Sequence, residues 1–369
     1  MNNNDKDKMY ACWLDSIYWL GAKAKHKLYK IAGSAENIYN MDSKELSELA
    51  GEKISEKIKH QKEQFPPERI WNFISGKNIK YTYINANDYP LKLKNISDLP
   101  FGLFYKGELP KEEIPSVAII GARKCSEYGK IMAEQFTNEF AAKGINIISG
   151  MALGIDGISQ KTAIKAGGKT YAILGCGVDI VYPKTNQGLY NQLLEKGGII
   201  SEYPPLMEPH AMLFPPRNRI ISALSDVVLV VEAREKSGTL ITVDMALEQG
   251  REVYAIPGKC TDELSSGCNK LIRQGANIVT SAEDIIIDMG WDRFDKNNIE
   301  IKKQNLDSLS PIALKLYGAM EMLPLSQDEI IVRLRENGCD VSISEICQGF
   351  FELELKKLIG RSGGKYNKI

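Results

Sequence analysis

The sequence carries no surplus of charge of either sign: 47 Lys and Arg stand against 47 Asp and Glu. A protein that gathers a polyanion with its whole field needs a basic excess, so bulk attraction to nucleic acid is excluded. Any such binding has to come from a local cluster, and its affinity has to fall with salt. The last stretch repeats the balance, with Lys315, Arg333, Arg335, Lys356, Lys357, Arg361, Lys365 and Lys368 matched by eight carboxylates between Glu321 and Glu354. Histidine and cysteine are scarce. His26, His60 and His210 lie far apart, and none of the seven cysteines forms a C-x-x-C pair. That spacing offers no zinc site and predicts reduced, buried thiols. No run approaches the roughly 20 apolar residues that span a bilayer. The polar start MNNNDKDK has no apolar signal core, so the chain reads as cytoplasmic, without a membrane partner.

Two phosphate motifs are also missing. There is no G-x-x-x-x-G-K-[ST], which argues against a triphosphatase, and Gly175-Cys176-Gly177-Val178-Asp179-Ile180 lacks the third glycine of G-x-G-x-x-G. With three histidines and no nucleophile motif, general bases are few. No catalytic residue, metal or cofactor is expected. Asp156, Asp179 and Glu202 sit near strand ends, where helix capping and loop ordering are the expected roles.

What is present divides into modules. Residues 1–75 hold short helical patterns (Ala11–Leu20, Lys23–Ala32, Ser43–Ala50, Ser55–Gln64) broken at Gly21, Gly33 and Gly51, and Asp42 with Glu45 has capping-box spacing. This predicts a small all-α domain of the SAM or helix-hairpin-helix kind. Residues 76–291 alternate. Apolar β-branched runs at Val117–Ile120, Ile145–Ile148, Thr170–Leu174, Gly198–Ser201, Val227–Val231 and Glu252–Ile256 are separated by helical stretches at Lys130–Lys143, Ile155–Ala166, Leu189–Glu195 and Leu240–Glu248. Continuous apolar strands between helices mean an α/β fold, a Rossmann-like doubly wound parallel sheet with ligands at the carboxyl ends of its strands. Residues 292–308 read as a polar linker. Residues 309–369, with helical patterns at Ile312–Met322, Ser326–Glu336 and Ser342–Ile359 and a tight turn at Gly360–Gly364, predict a C-terminal winged-helix domain.

The chemistry gathers at strand ends. The first strand runs into Gly121-Ala122-Arg123, the next into Ser149-Gly150, a third into Gly175-Cys176-Gly177 and then Tyr182-Pro183-Lys184-Thr185-Asn186. The strand Val227–Val231 leads to Ser237-Gly238-Thr239. Glycine lets a phosphate approach the backbone, and a helix N-terminus offers N–H groups and a positive dipole. One such turn is what any βα connection needs. Four of them with Arg123 and Lys184 predict a phosphate-binding pocket. Arg217-Asn218-Arg219 stands in front of an apolar helix and reads evenly as further phosphate contacts or as a cap with structural ion pairs.

At these residues the sequence resembles the DNA-processing protein A family (DprA, also called Smf). The segments IIGARKCSEYG, SGMALGIDG, ILGCGVDIVYPKTN, ISEYPP, FPPRNRIISALSDVVLVVEA, KSGTLIT, ALEQGREVYAIPG and SGCNKLIRQGA carry the resemblance, in unbroken order over Val117–Ala276. It implies a non-enzymatic, homodimeric protein that binds single-stranded DNA and loads a RecA-type recombinase during natural transformation. It assigns DNA contact to Arg123 and Lys184, with Ser149, Gly150 and Arg217–Arg219 in matching segments. Ala122 replaces the family's usual small hydroxyl residue, and Gln160 stands where the family often has histidine. The dimer surface maps to Leu271–Val279. Tyr182, Tyr190 and Phe214 are candidates for base stacking. Lys23, Lys25, Lys27 and Lys30 read equally as a DNA contact or a solvated face. The predicted recognition helix carries Glu345, Glu352 and Glu354, which repel phosphates and point to a protein contact instead. The rival enzyme class is a nucleotide phosphoribohydrolase, whose P-G-G-x-G-T-like turn is matched only by Glu232-Ala-Arg-Glu-Lys-Ser-Gly-Thr239.

Overall fold

A computed structural model describes residues 3–294, 308–320, 325–336, 339, 342–356, 358–362 and 364–368. The described residues form two compact units, one up to Phe294 and one after it. Most of the segment read as a linker, 295–307, lies outside the described residues.

The first unit is built on a nine-stranded sheet: β1 (Lys80–Tyr83), β2 (Gly102–Gly107), β3 (Ser116–Ile120), β4 (Asn146–Ser149), β5 (Thr170–Ile173), β6 (Gly197–Ser201), β7 (Val227–Val230), β8 (Glu252–Ala255) and β9 (Asn277–Ile278). Their order across the sheet is β1-β2-β6-β5-β4-β3-β7-β8-β9. From β6 to β9 every pairing is parallel, and β2 joins β6 and β1 antiparallel. The six apolar runs of the sequence are the six central parallel strands, shifted by a residue at most at either end. The antiparallel pair β1–β2 was not anticipated. Its KYTY and GLFYKG segments are aromatic and carry lysine, without a continuous β-branched run.

Both faces of the sheet are covered, so the strands need apolar residues at every position. Val117 and Ile119 face a core with Phe136 and Phe140 of helix Glu127–Ala142, while Ala118 and Ile120 face Ile220 and Leu224 of helix Phe214–Leu224. The N-terminal helices, among them Asn3–Ser16, Ala22–Ala32 and Glu52–Gln64, share a third core with Phe104, Ala172 and Ile199. Their first helix starts earlier than its apolar pattern and stops at Ser16, leaving Leu20 in the following turn. The Asp42–Glu45 capping box forms.

From β3 the chain moves through β4 and β5 to β6, then returns by helix Phe214–Leu224 to place β7 on the other side of β3. The strand order therefore reverses between β3 and β7, and a crevice opens at their carboxyl ends. Gly154 keeps that crevice in shape. Its φ of +73° is a conformation side chains rarely adopt, and a Cβ there would collide with the carbonyls of Ala122 and Arg123. We expect Gly154→Ala to lower stability by about 2 kcal/mol in urea unfolding and to displace the Arg123 turn.

In the second unit, helices Pro311–Ala319, Gln327–Glu336 and Ile343–Leu355 pack around Leu316, Ile330, Leu334, Phe350 and Leu353. Strands Leu325–Ser326, Ile359–Ser362 and Lys365–Lys368 make a small antiparallel sheet. The last helix is shorter than its apolar pattern, because Ile359 already belongs to a strand. The Gly360–Gly364 segment is correspondingly mostly strand, with Gly364 at φ +78° on the bend. Part of the first predicted helix, residues 321–322, lies outside the described residues.

Candidate functional site

The crevice between the β3 and β7 ends is a groove of about 680 Å³. Its walls come from the turns after β3 (Gly121, Ala122, Arg123, Lys124) and β7 (Arg234, Lys236, Ser237, Gly238, Thr239) and from the first turn of helix Phe214–Leu224. The two walls are tied together, since the Thr239 hydroxyl donates to the Gly121 carbonyl at 3.2 Å. Five cations line the groove, Arg123, Lys124, Arg217, Arg234 and Lys236, against one carboxylate, Asp156. Arg123, Lys124 and Lys236 are exposed, and none of them is in an ion pair among the described residues. Arg234 reaches Glu263 at 3.5 Å, with both side chains more than half exposed, so solvent weakens that pair. The local cluster that a neutral chain needs is thus present.

An aromatic floor runs beside the cations. Tyr182 and Phe214 stack with ring centroids 5.4 Å apart and planes 26° from parallel. The guanidiniums of Arg123 and Arg217 each lie 5.8 Å from the Phe214 ring, within cation–π range. Tyr182 is exposed and Phe214 half-buried, so both can offer a π-face. Tyr190, the third aromatic candidate, is unsuited. It is buried, and its hydroxyl donates to the Val178 carbonyl at 2.7 Å.

Arg217 is a buried prop of the groove floor. It donates to the carbonyls of Gly150, at 3.1 Å, and Ile173. Burial pulls its guanidinium down to about 10 against the pull of Asp156, which leaves it protonated at neutral pH. Burial likewise raises the Asp156 carboxyl, while Arg217 and the Gly150 N–H lower it. Gly150 has to be glycine here, because a Cβ would lie 2.8 Å from both the Arg217 guanidinium and the Asp156 carboxylate.

Several residues picked out as DNA contacts are already engaged. The Ser149 hydroxyl donates to the Ile119 carbonyl at 2.7 Å, and the Gly150 N–H to Asp156 at 3.1 Å. The next N–H, of Met151, donates to Gln160, whose amide nitrogen in turn donates to the Tyr171 carbonyl. The second turn therefore spends its donors on its own closure. Asn186 is buried and donates to the Met151 carbonyl at 3.0 Å. Asn218 lines the groove and accepts from Arg217 Nε at 3.2 Å. Lys184 is exposed beside Tyr182 and Pro183 without lining the groove.

Arg219 points away. It forms a two-pronged pair with Glu202, at 2.9 and 2.6 Å, and donates to the Asp98 carbonyl. Arg217-Asn218-Arg219 lies inside the helix, not in front of it, because Pro215 and Pro216 occupy its first turn. Two residues apart on a helix is about 200°, so the two arginines face opposite sides. We expect Arg219→Lys, which keeps the charge and loses the fork, to cost about 1 kcal/mol of stability. Oligonucleotide affinity should stay within twofold, as read by fluorescence anisotropy.

Lys124, Arg234 and Lys236 were not singled out from the sequence. Their signal was adjacency: each sits within two or three residues of a turn that was chosen. The three carboxylates near the strand ends do order structure, Asp179 by accepting from the Leu206 N–H at 2.8 Å, Glu202 by holding Arg219 and Asp156 by holding Gly150. No helix among the described residues is long and apolar enough to cross a membrane.

Comparison with known proteins identifies the family. The sequence profile of the family described as DNA recombination-mediator protein A matches residues 80–290, more than half of the chain. The chain is 42% identical to the DNA processing protein DprA of Bacillus subtilis over 231 residues, 62% of this chain and 78% of that one. The X-ray structure of DprA from Streptococcus pneumoniae superposes with a TM-score of 0.65 at 33% identity, covering 78% of this chain and 98% of that one. A Helicobacter pylori DprA structure, described as showing a single-stranded DNA binding mode, gives 0.52 at 29% identity over 58% and 97%. The chain belongs to the DNA recombination-mediator protein A family.

Proposed function

We propose that the groove between the β3 and β7 ends holds the backbone of single-stranded DNA, and that the protein acts by binding, without catalysis. One observation carries this: the unpaired cations Arg123, Lys124 and Lys236 stand beside the stacked Tyr182–Phe214 pair. Phosphate neutralisation combined with stacking is how sequence-tolerant single-strand binders work. The phosphates engage side chains at Arg123, Lys124 and Lys236, with Lys184 at the flank, and the N-terminus of helix Gly238–Glu248 adds the backbone N–H of Gly238, the Thr239 N–H being held by the Ser237 cap. Bases stack on Tyr182 and Phe214. A duplex keeps its bases paired and cannot offer their faces to this floor. The H. pylori relative, with its single-stranded DNA binding mode, supports the choice of strand.

Family membership supports a wider role, in which the bound strand is handed to a RecA-type recombinase, including during natural transformation, in the cytoplasm. With no bulk basic field, one groove binds weakly, and a homodimer supplies avidity. Leu271–Val279 contains the outer strand β9, where Ile278 is exposed on an unpaired edge. We assign residues 1–75 as the helical domain, 76–291 as the Rossmann-like DNA-binding domain and 309–369 as the winged-helix domain. The three helices and antiparallel sheet of the second unit support the last of these. Its acidic third helix fits a protein partner better than DNA.

The test is anisotropy of labelled oligo(dT) and of a duplex of equal length, titrated from 50 to 200 mM salt. Single strand should bind tighter at every salt concentration. With about three phosphates neutralised, its log–log slope should be about −2. Equal or tighter duplex binding overturns the proposal.

A further inference from the structure

In a Rossmann-like fold the N-terminus of the helix after the first parallel strand is the place where a nucleotide phosphate usually rests. Here that helix is Glu127–Ala142, and a carboxylate already stands at its N-terminus. Glu232, from the end of β7, accepts from the Ser126 N–H at 2.9 Å and from the Ser126 hydroxyl. Ser126 is the cap of the helix, and its oxygen accepts from the Gly129 N–H at 3.1 Å. Glu232 is 1% exposed. No Lys or Arg pairs with it among the described residues, so the helix dipole and the Ser126 donors are what compensate its charge. Gly129 is shaped around it, since a Cβ there would collide with the carboxylate.

We infer that Glu232 is an internal occupant of the fold's phosphate position, and that it acts as a positioning residue for the turn carrying Arg123 and Lys124. The inference rests on the proposed DNA groove for its functional side. Glu232 does not line the groove. It fastens the far end of the Gly121–Ser126 turn to β7, across the point where strand order reverses, and so sets where the two exposed cations stand. Filling the position also bars a small phosphate ligand from the helix end, leaving the outer groove, with its side-chain cations, as the place for a polymer backbone. The same contact explains why Ser126 and Gly129 sit where the sequence showed only the start of a helix.

The experiment uses the full chain and the variants Glu232→Ala, Glu232→Gln and Ser126→Ala. Melting temperature and oligo(dT) affinity are measured in chloride, acetate and inorganic phosphate at equal ionic strength. Glutamine can still accept from the Ser126 N–H and meet its hydroxyl, so Glu232→Gln should bind oligo(dT) within threefold of wild type. Glu232→Ala should bind at least tenfold more weakly in chloride, with acetate restoring most of the loss by filling the vacated position. Its melting temperature should rise in acetate relative to chloride by more than that of wild type or Glu232→Gln. The rise in phosphate, which the outer groove and general salt stabilisation give to all three, should be largest in Glu232→Ala. Should Glu232→Ala fail to fold, Ser126→Ala must still lose affinity by about three- to fivefold. Wild-type affinity in Glu232→Ala, or in Ser126→Ala where the former does not fold, overturns the inference, as does a loss that no anion repairs. Failure of wild type to bind oligo(dT) at all would instead strike the DNA groove, while the anion dependence of melting would still test the position of Glu232.

Discussion

Arg123→Glu should lower the affinity for oligo(dT) about a hundredfold at 150 mM salt. A charge-assisted hydrogen bond to phosphate contributes about 1.5–3 kcal/mol, and each 1.4 kcal/mol is tenfold. Reversal adds a repulsion of about 1 kcal/mol for charges near 4 Å in water. Arg123 is exposed, in no ion pair among the described residues, and lies over Phe214, so the change removes a ligand contact and leaves the core alone. The variant should unfold at the same urea concentration as wild type, and its salt slope should be shallower. Fluorescence anisotropy and urea unfolding read both.

Arg217→Ala should act the opposite way, through the fold first. The side chain is buried and supports two carbonyls and the Asp156 carboxylate. Removing it leaves the buried Gly150 and Ile173 carbonyls without that charged donor, at about 1–3 kcal/mol for each group left unsatisfied, or about 2–5 kcal/mol together. Urea unfolding should show a loss in that range. Binding should weaken as well, since the Phe214 ring loses the guanidinium beside it and the Gly150 turn loses its tether. The two arginines thus separate contact from support: one changes affinity alone, the other changes stability and affinity together.

The six central strands could be read because a strand buried on both faces must be apolar at every residue, which leaves an unambiguous run. The strands β1 and β2 carry aromatics and lysine in place of a continuous β-branched run, so the pattern that marks the central strands is absent from them. The turn residues Gly121–Arg123 and Ser237–Thr239 were visible because a βα turn at a sheet's carboxyl edge has a recognisable composition. Whether a turn's N–H groups were free was not visible. The Ser149–Gly150 turn closes on Asp156 and Gln160, and the first helix N-terminus closes on Glu232, 106 residues away in sequence. Contacts of that range have no local signature. Arg219 was open to a better reading: with prolines in the first helical turn, the spacing of the two arginines already sends them to opposite faces.

The most direct test of the central claim is amide hydrogen exchange of the full chain with and without saturating oligo(dT). Slowed exchange should be confined to the groove walls, residues 121–124 and 234–239, to Tyr182 and Lys184 at the flank, and to Phe214 and Arg217 at the start of helix Phe214–Leu224, the prolines between carrying no N–H. The N-terminal helices should exchange as before. Protection centred elsewhere in the chain, with the walls of the β3–β7 crevice unchanged, would contradict the account.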